Sequence, residues 1–341
     1  MKIGIMGFCA ALLITVPGRL HARRAAERLE SLDSLASVIS RTGIIPRAGE
    51  LPVLAASCGW YGPLTGLKIL PGDSIEIAHA LTGPNAGICF FGTAPWSPRD
   101  LVVITAPQPR CIPRGLQQPY RTGSEAVFRL EGIDSIPGAR VAFCSPDLEV
   151  GELEADSAGY YRIPMLSSGV HWGEVMRSTD SGPEIVLLFP LLCDGDVQAV
   201  FDGGIPMTSS GASSAEEVFR ELNRLRSAAG LRELERDPDL DSLAAIRASN
   251  LAMTGTTTHF GPRSGDLGSI LPPEFGIYGE NIGRGFGYSE AWSMILISPF
   301  HLMTCLSSDY TMGGLAGAID SGRFQWELVL VQVFASEEEP P

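Results

Sequence analysis

The chain has 341 residues, of which 45% are hydrophobic and 19% are charged, and its net charge is −14 at pH 7. This length allows more than one domain with its own core, and this composition excludes wholesale disorder. The negative charge argues against non-specific binding to nucleic acid or anionic lipid, because its long-range field repels phosphate. We therefore expect a soluble globular protein that does not bind nucleic acid.

The N-terminal residues have the pattern of an export signal. An apolar run over residues 3–16 follows Lys2, and this run is too short for a comfortable membrane span. Residues 1–22 are therefore predicted to be a signal peptide, which makes the protein secreted or part of the cell envelope. An uncleaved anchor is the alternative, because more positive charge follows the run than precedes it, namely Arg19, Arg23, Arg24 and Arg28.

Cysteine usage also fits export. Removal of the leader discards Cys9 and leaves an even number of cysteines at wide spacing, without a C-x-x-C pair: Cys58, Cys89, Cys111, Cys144, Cys193 and Cys305. In an oxidising compartment this pattern favours disulfides over a metal-binding knuckle. The sequence alone does not assign the pairs.

The composition changes near residue 205. Before it, short runs of β-branched and aromatic residues alternate with proline and glycine, which is typical of strands separated by turns. We predict an all-β, sandwich-like domain over residues 45–205, built as one sandwich or as two modules. Residues 206–214 have the small, polar character of a linker.

After the linker the apolar spacing is that of helices. Ser214 and Glu217 form a capping box, Pro238 is a good first-turn residue, and Ser289 is a candidate cap. Ser298-Pro299 then begins a new turn. We predict helices over 215–229, 238–253 and 290–297, strands near 313–319 and 326–334, and an acidic tail over 337–341. The predicted class is α+β.

Several short motifs follow one another in order over residues 213–336. They are Leu222-Asn223-Arg224-Leu225-Arg226, Gly230-Leu231, His259, Gly279-Glu280-Asn281-Ile282, Ser298-Pro299-Phe300-His301 and Val331-Gln332-Val333-Phe334. Together they resemble the bacterial branch of the CAP superfamily, named for cysteine-rich secretory proteins, antigen 5 and pathogenesis-related proteins. The resemblance implies an α-β-α sandwich over residues 215–336.

The resemblance also implies a central cleft lined by His259, Glu280 and His301, with structural roles for Asn281, Ser298, Pro299 and Gln332. We expect the three cleft residues at helix ends and loop tips. Neutral imidazole nitrogens and a carboxylate oxygen are suitable ligands for zinc or another divalent cation, and they leave one coordination position open. The alternative is a hydrogen-bonded cluster that orders the loops.

The chain also departs from the family pattern. Eukaryotic relatives have a histidine where this chain has Val329, so the family's four-residue polar cluster is incomplete. Ile295 replaces a tryptophan of the bacterial form, and Phe300 stands where glycine is usual. These changes predict a reshaped cleft.

Motifs of common enzymes are absent from the sequence. It contains no H-E-x-x-H, no G-x-S-x-G and no glycine-rich phosphate loop. His171 lies in a Gly-rich stretch and is predicted to be an exposed loop residue.

The leading hypothesis is a non-enzymatic binding protein for a small hydrophobic ligand such as a lipid, or for an envelope protein. The alternative is a metal-dependent, protease-like hydrolase with Glu280 as general base.

Overall fold

The computed structural model describes most of the chain in two compact units. The described residues are 27–43, 46, 50–62, 64, 66–71, 90–106, 108–195, 211–255, 258–260, 267–271, 275–320 and 327–337. The first unit comprises Met1–Gly43 with Leu64–Gln108, and the second comprises Ile44–Pro63 with Pro109–Pro341. The predicted signal peptide, most of the predicted linker and residues 338–341 of the predicted tail lie outside the described residues.

None of the helices in the described ranges is long and apolar enough to cross a membrane.

The first unit is a helix on a four-stranded sheet of order β1-β3-β4-β2. Its elements are β1 (Glu27–Arg28), α1 (Glu30–Thr42), β2 (Gly66–Pro71), β3 (Phe90–Pro95) and β4 (Asp100–Ala106). Leu32, Leu35, Ala36 and Ile39 recur at helical spacing and are fully buried. Gly92 of β3 lets α1 approach, because a Cβ there would lie 2.1 Å from the carbonyl carbon of Leu32.

The prediction of an all-β region over 45–205 is wrong in part. Helix α2 (Leu51–Ser57) lies within this range, and Cys58 follows it. Residues 64–108 also belong to a different compact unit from residues 109–195. The α2 side chains of Val53, Leu54, Ala55 and Ala56 are buried, and a short buried apolar run of this kind does not distinguish a helix from a strand.

The second unit begins with a β-sandwich. A three-stranded sheet of order β5-β6-β9 faces a four-stranded sheet of order β11-β10-β7-β8. The strands are β5 (Ile112–Arg114), β6 (Ser124–Glu131), β7 (Arg140–Cys144), β8 (Val150–Leu153), β9 (Tyr161–Met165), β10 (Gly169–Thr179) and β11 (Gly182–Cys193). Phe128 and Phe189 meet edge to face between the sheets, with ring centroids 5.3 Å apart.

The rest of the second unit has three layers. A sheet of order β12-β14-β15-β13 separates the helices on its two faces. The elements are α3 (Ala215–Ala228), β12 (Glu235–Arg236), α4 (Pro238–Thr254), α5 (Leu267–Ile270), β13 (Phe275–Gly285), α6 (Tyr288–Leu296), α7 (Pro299–Cys305), β14 (Met312–Asp320) and β15 (Glu327–Glu337). The predicted α+β class and the α-β-α sandwich are confirmed.

Alternation along the central strand β15 explains the layering. Val329, Val331 and Val333 pack on the side of α4, whereas Leu330 and Phe334 pack with α3 and α6 on the other side. A strand that is apolar on both faces is typical of a sheet covered on both sides.

The predicted cap of the third helix is wrong. The helix starts at Tyr288, before Ser289, and the Glu290 carboxylate accepts a hydrogen bond from the Phe286 backbone N–H at 2.6 Å. Phe286 precedes the helix, and Glu290 in its first turn reaches back to this N–H, much as the acidic residue of a capping box does.

The β-sandwich and the three-layer domain share one hydrophobic cluster. Cys144 and Trp172 of the sandwich lie in the same buried cluster as Trp292, Leu302 and Cys305 of the three-layer domain. The two domains are therefore packed together rather than only linked along the chain.

The prediction of disulfides is wrong for four of the cysteines. Cys111, Cys144, Cys193 and Cys305 are buried and carry free thiols. They fill positions in the apolar cores, where a thiol packs as a small hydrophobic group. Cys89 lies outside the described residues, so a disulfide that involves it stays a prediction.

Candidate functional site

The structure brings the three predicted cleft residues to one cavity. His259 follows the C-terminal end of α4, Glu280 lies within β13, and His301 lies on α7. All three line a cavity of about 460 Å³. The expected loop position of Glu280 is wrong, because its backbone pairs in register with Val333 of the neighbouring strand β15.

The Glu280 carboxylate is engaged by a buried arginine. Arg247 of α4 donates from Nε to Glu280 Oε1 at 2.7 Å and from Nη2 to Oε2 at 2.8 Å. The side chains of Arg247 and Glu280 are 0% and 4% exposed. Planar, bidentate pairing of this kind is the strong form of an arginine–carboxylate contact.

This pairing sets the charge of Glu280. Burial alone would raise its pKa, but hydrogen bonds from His259 and Arg247, together with the guanidinium charge, lower the pKa below its ordinary value. Glu280 is therefore a carboxylate at neutral pH, already partnered on both oxygens.

Sequence reasoning missed the role of Arg247. The residue appears in the periodic pattern of α4 among Leu240, Leu243, Ala244 and Leu251, all of which are buried. A charged residue on an otherwise apolar stripe is almost never fully buried unless it is paired. The place of Arg247 on the buried stripe of α4 therefore indicates that an acidic group is buried beside it.

His259 bridges Glu280 to the open part of the cavity. Its Nδ1 lies 2.9 Å from Glu280 Oε2. Since a carboxylate only accepts hydrogen bonds, Nδ1 carries a proton, and in the neutral ring Nε2 is an acceptor. The His259 carbonyl oxygen also accepts from Arg247 Nη2 at 2.9 Å, so one arginine orders both residues.

His301 is held by the first turn of α7. Ser298 caps this helix and accepts from the His301 N–H at 3.3 Å, and Pro299 occupies the first helical position. Burial, followed by the proximity of His259, lowers the His301 pKa to about 3, so its ring is neutral at neutral pH. The buried Nδ1 has no hydrogen-bond partner among the described residues.

Two buried amides connect α7 to the sheet. Asn281 Nδ2 donates to the His301 carbonyl oxygen at 3.0 Å and to Gln332 Oε1 at 3.1 Å. Asn281 and Gln332 are paired across β13 and β15. These contacts fix where α7 sits on the sheet.

The three predicted ligands do not fit a divalent cation in this arrangement. Both oxygens of Glu280 accept hydrogen bonds from Arg247, and the guanidinium charge lies against the carboxylate that a cation would need. Within the described part of the chain, no group of three His, Cys, Asp or Glu side chains is arranged to hold a metal ion. The cluster instead has the hydrogen bonding of a structural network.

One wall of the cavity comes from the β-sandwich. Strands β7, β10 and β11 contribute lining residues opposite the three-layer domain: Arg140, Glu174, Met176, Pro183 and Ile185. The Arg140 guanidinium lies 5.0 Å from the ring centroid of Phe300. Val329, the position of the missing family histidine, is buried in the α4 side of the core and does not line the cavity.

The prediction that His171 is an exposed loop residue is wrong. It is fully buried in β10, where it pairs with Leu191 of β11, and its Nε2 lies 2.9 Å from the Ser167 carbonyl oxygen. Gly169 starts this strand, where it pairs with Cys193 of β11, and Gly173 lies between Phe143 of β7 and Phe189 of β11.

The C-terminal domain matches a known family. Residues 219–334 match the model of the cysteine-rich secretory protein family, CAP. No curated protein matches the chain significantly.

Three solved structures are similar to this chain. An outer surface protein from Borrelia burgdorferi is 20% identical, with a TM-score of 0.33, and the match covers 36% of this chain and 92% of that one. An extracellular protein containing an SCP domain from Bacillus anthracis is 14% identical, with a TM-score of 0.30, over 79% of this chain and 94% of that one. A cysteine-rich secretory protein from Staphylococcus aureus is 14% identical, with a TM-score of 0.27, and the match covers 59% of this chain and 66% of that one.

Proposed function

Because residues 219–334 form a CAP domain, we propose that the chain is an extracytoplasmic, non-enzymatic binding protein whose cleft takes a small amphipathic ligand. The observation that carries this proposal is the cavity of about 460 Å³ that contains His259, Glu280 and His301. Small-molecule pockets have volumes of about 300–1,000 Å³, with apolar walls and a few convergent polar groups.

The lining combines charged and polar side chains with apolar ones. The imidazoles of His259 and His301 lie together with the Arg247–Glu280 pair behind them. Apolar side chains come from both domains: Met176, Pro183, Ile185, Phe300 and Met303. A ligand with an apolar body and a polar group matches this mixed lining.

The state of Glu280 supports binding rather than hydrolysis. A general base works best when its pKa is near the operating pH. The Arg247 and His259 contacts lower the Glu280 pKa and occupy both of its oxygens. The hydrolase alternative requires Glu280 to take up a proton, which these contacts oppose.

A fluorescent probe tests the binding proposal. Anilinonaphthalene sulfonate is a small amphipathic molecule of suitable size, and we expect saturable binding to the folded wild type. Ile185→Trp should remove this binding, because Ile185 lines the cavity and a larger ring fills it. Ile319→Trp is the matched control, since Ile319 is also a half-exposed strand residue but does not line the cavity. Equal binding by both variants would contradict the proposal.

Metal analysis tests the alternative. We expect purified protein to carry no stoichiometric zinc, because Arg247 occupies Glu280. Stoichiometric zinc in the wild type that is lost from both His259→Ala and His301→Ala would favour the metal-dependent hydrolase instead.

Export is part of the same proposal. It rests on the predicted signal peptide over residues 1–22 and on the CAP match. Cell fractionation with N-terminal sequencing of the mature protein tests it. Recovery of the uncleaved chain in the cytoplasm would contradict it.

A further inference from the structure

The β10–β11 hairpin contacts the CAP domain at two places beside the cavity. At the hairpin turn, the Phe260 N–H donates to the Ser181 carbonyl oxygen at 2.9 Å. The next residue, Gly182, leaves room for His259, because a Cβ on Gly182 would lie 2.7 Å from the Cβ of His259. The second contact is made by Glu174, in the middle of β10.

Glu174 binds the first turn of α7 directly. The Ser298 hydroxyl donates to Glu174 Oε1 and Oε2 at 3.0 and 2.9 Å, and the Phe300 N–H donates to Oε2 at 3.0 Å. Ser298 also accepts from the His301 N–H. Glu174 is 0% exposed and Ser298 is 1% exposed, so these contacts are buried where both residues border the cavity.

We propose that Glu174 is a positioning residue of the CAP cleft: by holding the first turn of α7 through Ser298 and Phe300, it fixes His301 at the cavity and couples ligand binding to the β-sandwich. The ligand part of this inference rests on the proposed function. The positioning part rests only on the contacts between β10 and α7.

A helix as short as α7 needs such a contact. It has seven residues, Pro299–Cys305, and isolated helices shorter than about 12 residues are marginal in water. Its first turn therefore depends on its partners. Loss of Glu174 would leave the Phe300 N–H and the Ser298 hydroxyl in a buried position without this acceptor, which destabilises the turn.

The surroundings make this contact sensitive to pH. Burial raises the Glu174 pKa from its usual 4.5 to about 7, although the Phe300 and Ser298 hydrogen bonds act in the opposite direction. Because the folded-state pKa is raised, the stabilising contribution of Glu174 is complete below pH 4.5 and is lost as the pH rises through about 7. Because opening of the first turn of α7 would let water reach this carboxylate, ionisation of Glu174 should favour that opening.

The neighbouring groups whose pKa is shifted do not share this behaviour. The titratable or charged side chains around Glu174 and the cavity are Arg140, Cys144, Glu152, His259, Glu280, His301 and Asp309. A hydrogen bond from Arg140 lowers the Glu152 pKa, and burial raises that of Cys144. The His301 pKa is about 3. The shifted pKa values of Arg140, Cys144, Glu152, Glu280 and His301 all move away from neutral pH, whereas that of Glu174 moves toward it.

Two measurements on four full-length proteins test the inference. The proteins are the wild type, Glu174→Gln, Glu174→Ala and the control Glu184→Gln, whose carboxylate pairs with Arg177 on the same hairpin at the surface. The first measurement is hydrogen exchange of the Phe300 amide, which needs no ligand. The second is the affinity for anilinonaphthalene sulfonate from pH about 5 to pH about 8.

We expect Glu174→Ala to expose the Phe300 amide and to weaken probe binding about tenfold. The wild type and Glu184→Gln should lose protection and affinity as the pH rises, whereas Glu174→Gln, which keeps the hydrogen bonds without the charge, should lose much less. Wild-type protection in Glu174→Ala, or the same pH profile in Glu174→Gln and the wild type, would overturn the inference. If the wild type binds no probe, the proposed function fails, and Phe300 exchange still decides the positioning role.

Discussion

At the scale of single residues, buried charges organise this site. Arg247 is fully buried and contacts both oxygens of Glu280 and the carbonyl oxygen of His259. Removal of one partner of such a pair leaves the other as an uncompensated buried charge. The pair therefore fixes the end of α4 to β13 and decides the orientation of His259.

Arg247→Met should lower the free energy of unfolding by about 3–5 kcal/mol, because Glu280 would remain buried without its cation. Arg177→Met is the matched control, since it breaks an exposed pair with Glu184 and should cost at most about 1 kcal/mol. Urea denaturation of both variants measures the difference. Equal losses would show that the Arg247–Glu280 pair is no more important than a surface contact.

His301 makes a prediction about acid stability. Its pKa is lowered from 6.5 to about 3 by burial and by His259. Because the folded-state pKa is depressed, the neutral ring contributes stability above pH 6.5 that is lost as the pH falls toward about 3. His301→Gln should therefore flatten the fall in unfolding free energy between pH 6.5 and pH about 5.

Urea denaturation at several pH values checks this slope. His171→Gln should also flatten the slope, since burial lowers the His171 pKa. The control is therefore Met303→Leu, which changes a residue of α7 that does not titrate. An unchanged slope in His301→Gln would contradict the account.

At the scale of elements, α7 joins three parts of the molecule. Ser298 and Glu174 hold its first turn, and Asn281 of β13 donates to the His301 carbonyl oxygen. Its sequence alone shows only the cap, because Ser-Pro at a helix start is a local signal. The partner in β10 is 124 residues away along the chain, and no local pattern indicates such a contact.

Ser298→Ala should destabilise the protein more than Ser214→Ala. Ser214 is an ordinary cap that accepts from the Glu217 N–H at 3.2 Å, and its loss should cost about 1 kcal/mol. Loss of the Ser298 hydroxyl removes a cap and also a hydrogen-bond donor to a buried carboxyl group, which adds about 1–3 kcal/mol. Chemical denaturation of the two variants provides the comparison, and similar costs would argue against the Glu174 contact.

The elements also show how far the sequence predicts the fold. Helices α3 and α4 follow from their apolar spacing and caps, because both signals are local. The Gly279-Glu280 segment reads as a turn but lies in β13, where Gly279 makes room for the Tyr310 hydroxyl: a Cβ there would lie 2.4 Å away. That packing depends on a loop more than thirty residues later in the sequence, so the local pattern misleads.

The same limit applies to the site. The family resemblance identifies His259, Glu280 and His301 together, and the structure brings them to one cavity. Arg247 and Glu174 hold cavity residues in place, and Ile185 lines the cavity. Arg247 comes from the face of α4, whereas Glu174 and Ile185 come from the β-sandwich. Sequence periodicity records that a position is buried, and it does not record which distant group lies opposite.

At the scale of the whole molecule, the β-sandwich and the CAP domain share a core. Trp172 is fully buried in the cluster that also contains Trp292 and Leu302. Interfaces between domains of one chain are usually smaller and more polar than this kind of continuous core. The sandwich is therefore a structural part of the CAP half and supplies a wall of its cavity.

Trp172→Ala should lower the free energy of unfolding by about 3–5 kcal/mol, because it leaves a large cavity in the shared cluster. Hydrogen exchange should also show faster opening of α6, although this helix lies in the other domain. The matched control is Phe128→Ala, which empties the core inside the sandwich and should leave α6 less affected. Equal effects on α6 would mean that Trp172 does not couple the two domains.

The most direct test of the binding account is mass spectrometry of small molecules extracted from the protein as purified from its native envelope or culture medium. We predict an amphipathic molecule that is present in the wild type and in Ile319→Trp and absent from Ile185→Trp, whose side chain would fill the cavity of about 460 Å³. The same extracted molecules in all three proteins would contradict a ligand site between the CAP cleft and the β10–β11 hairpin.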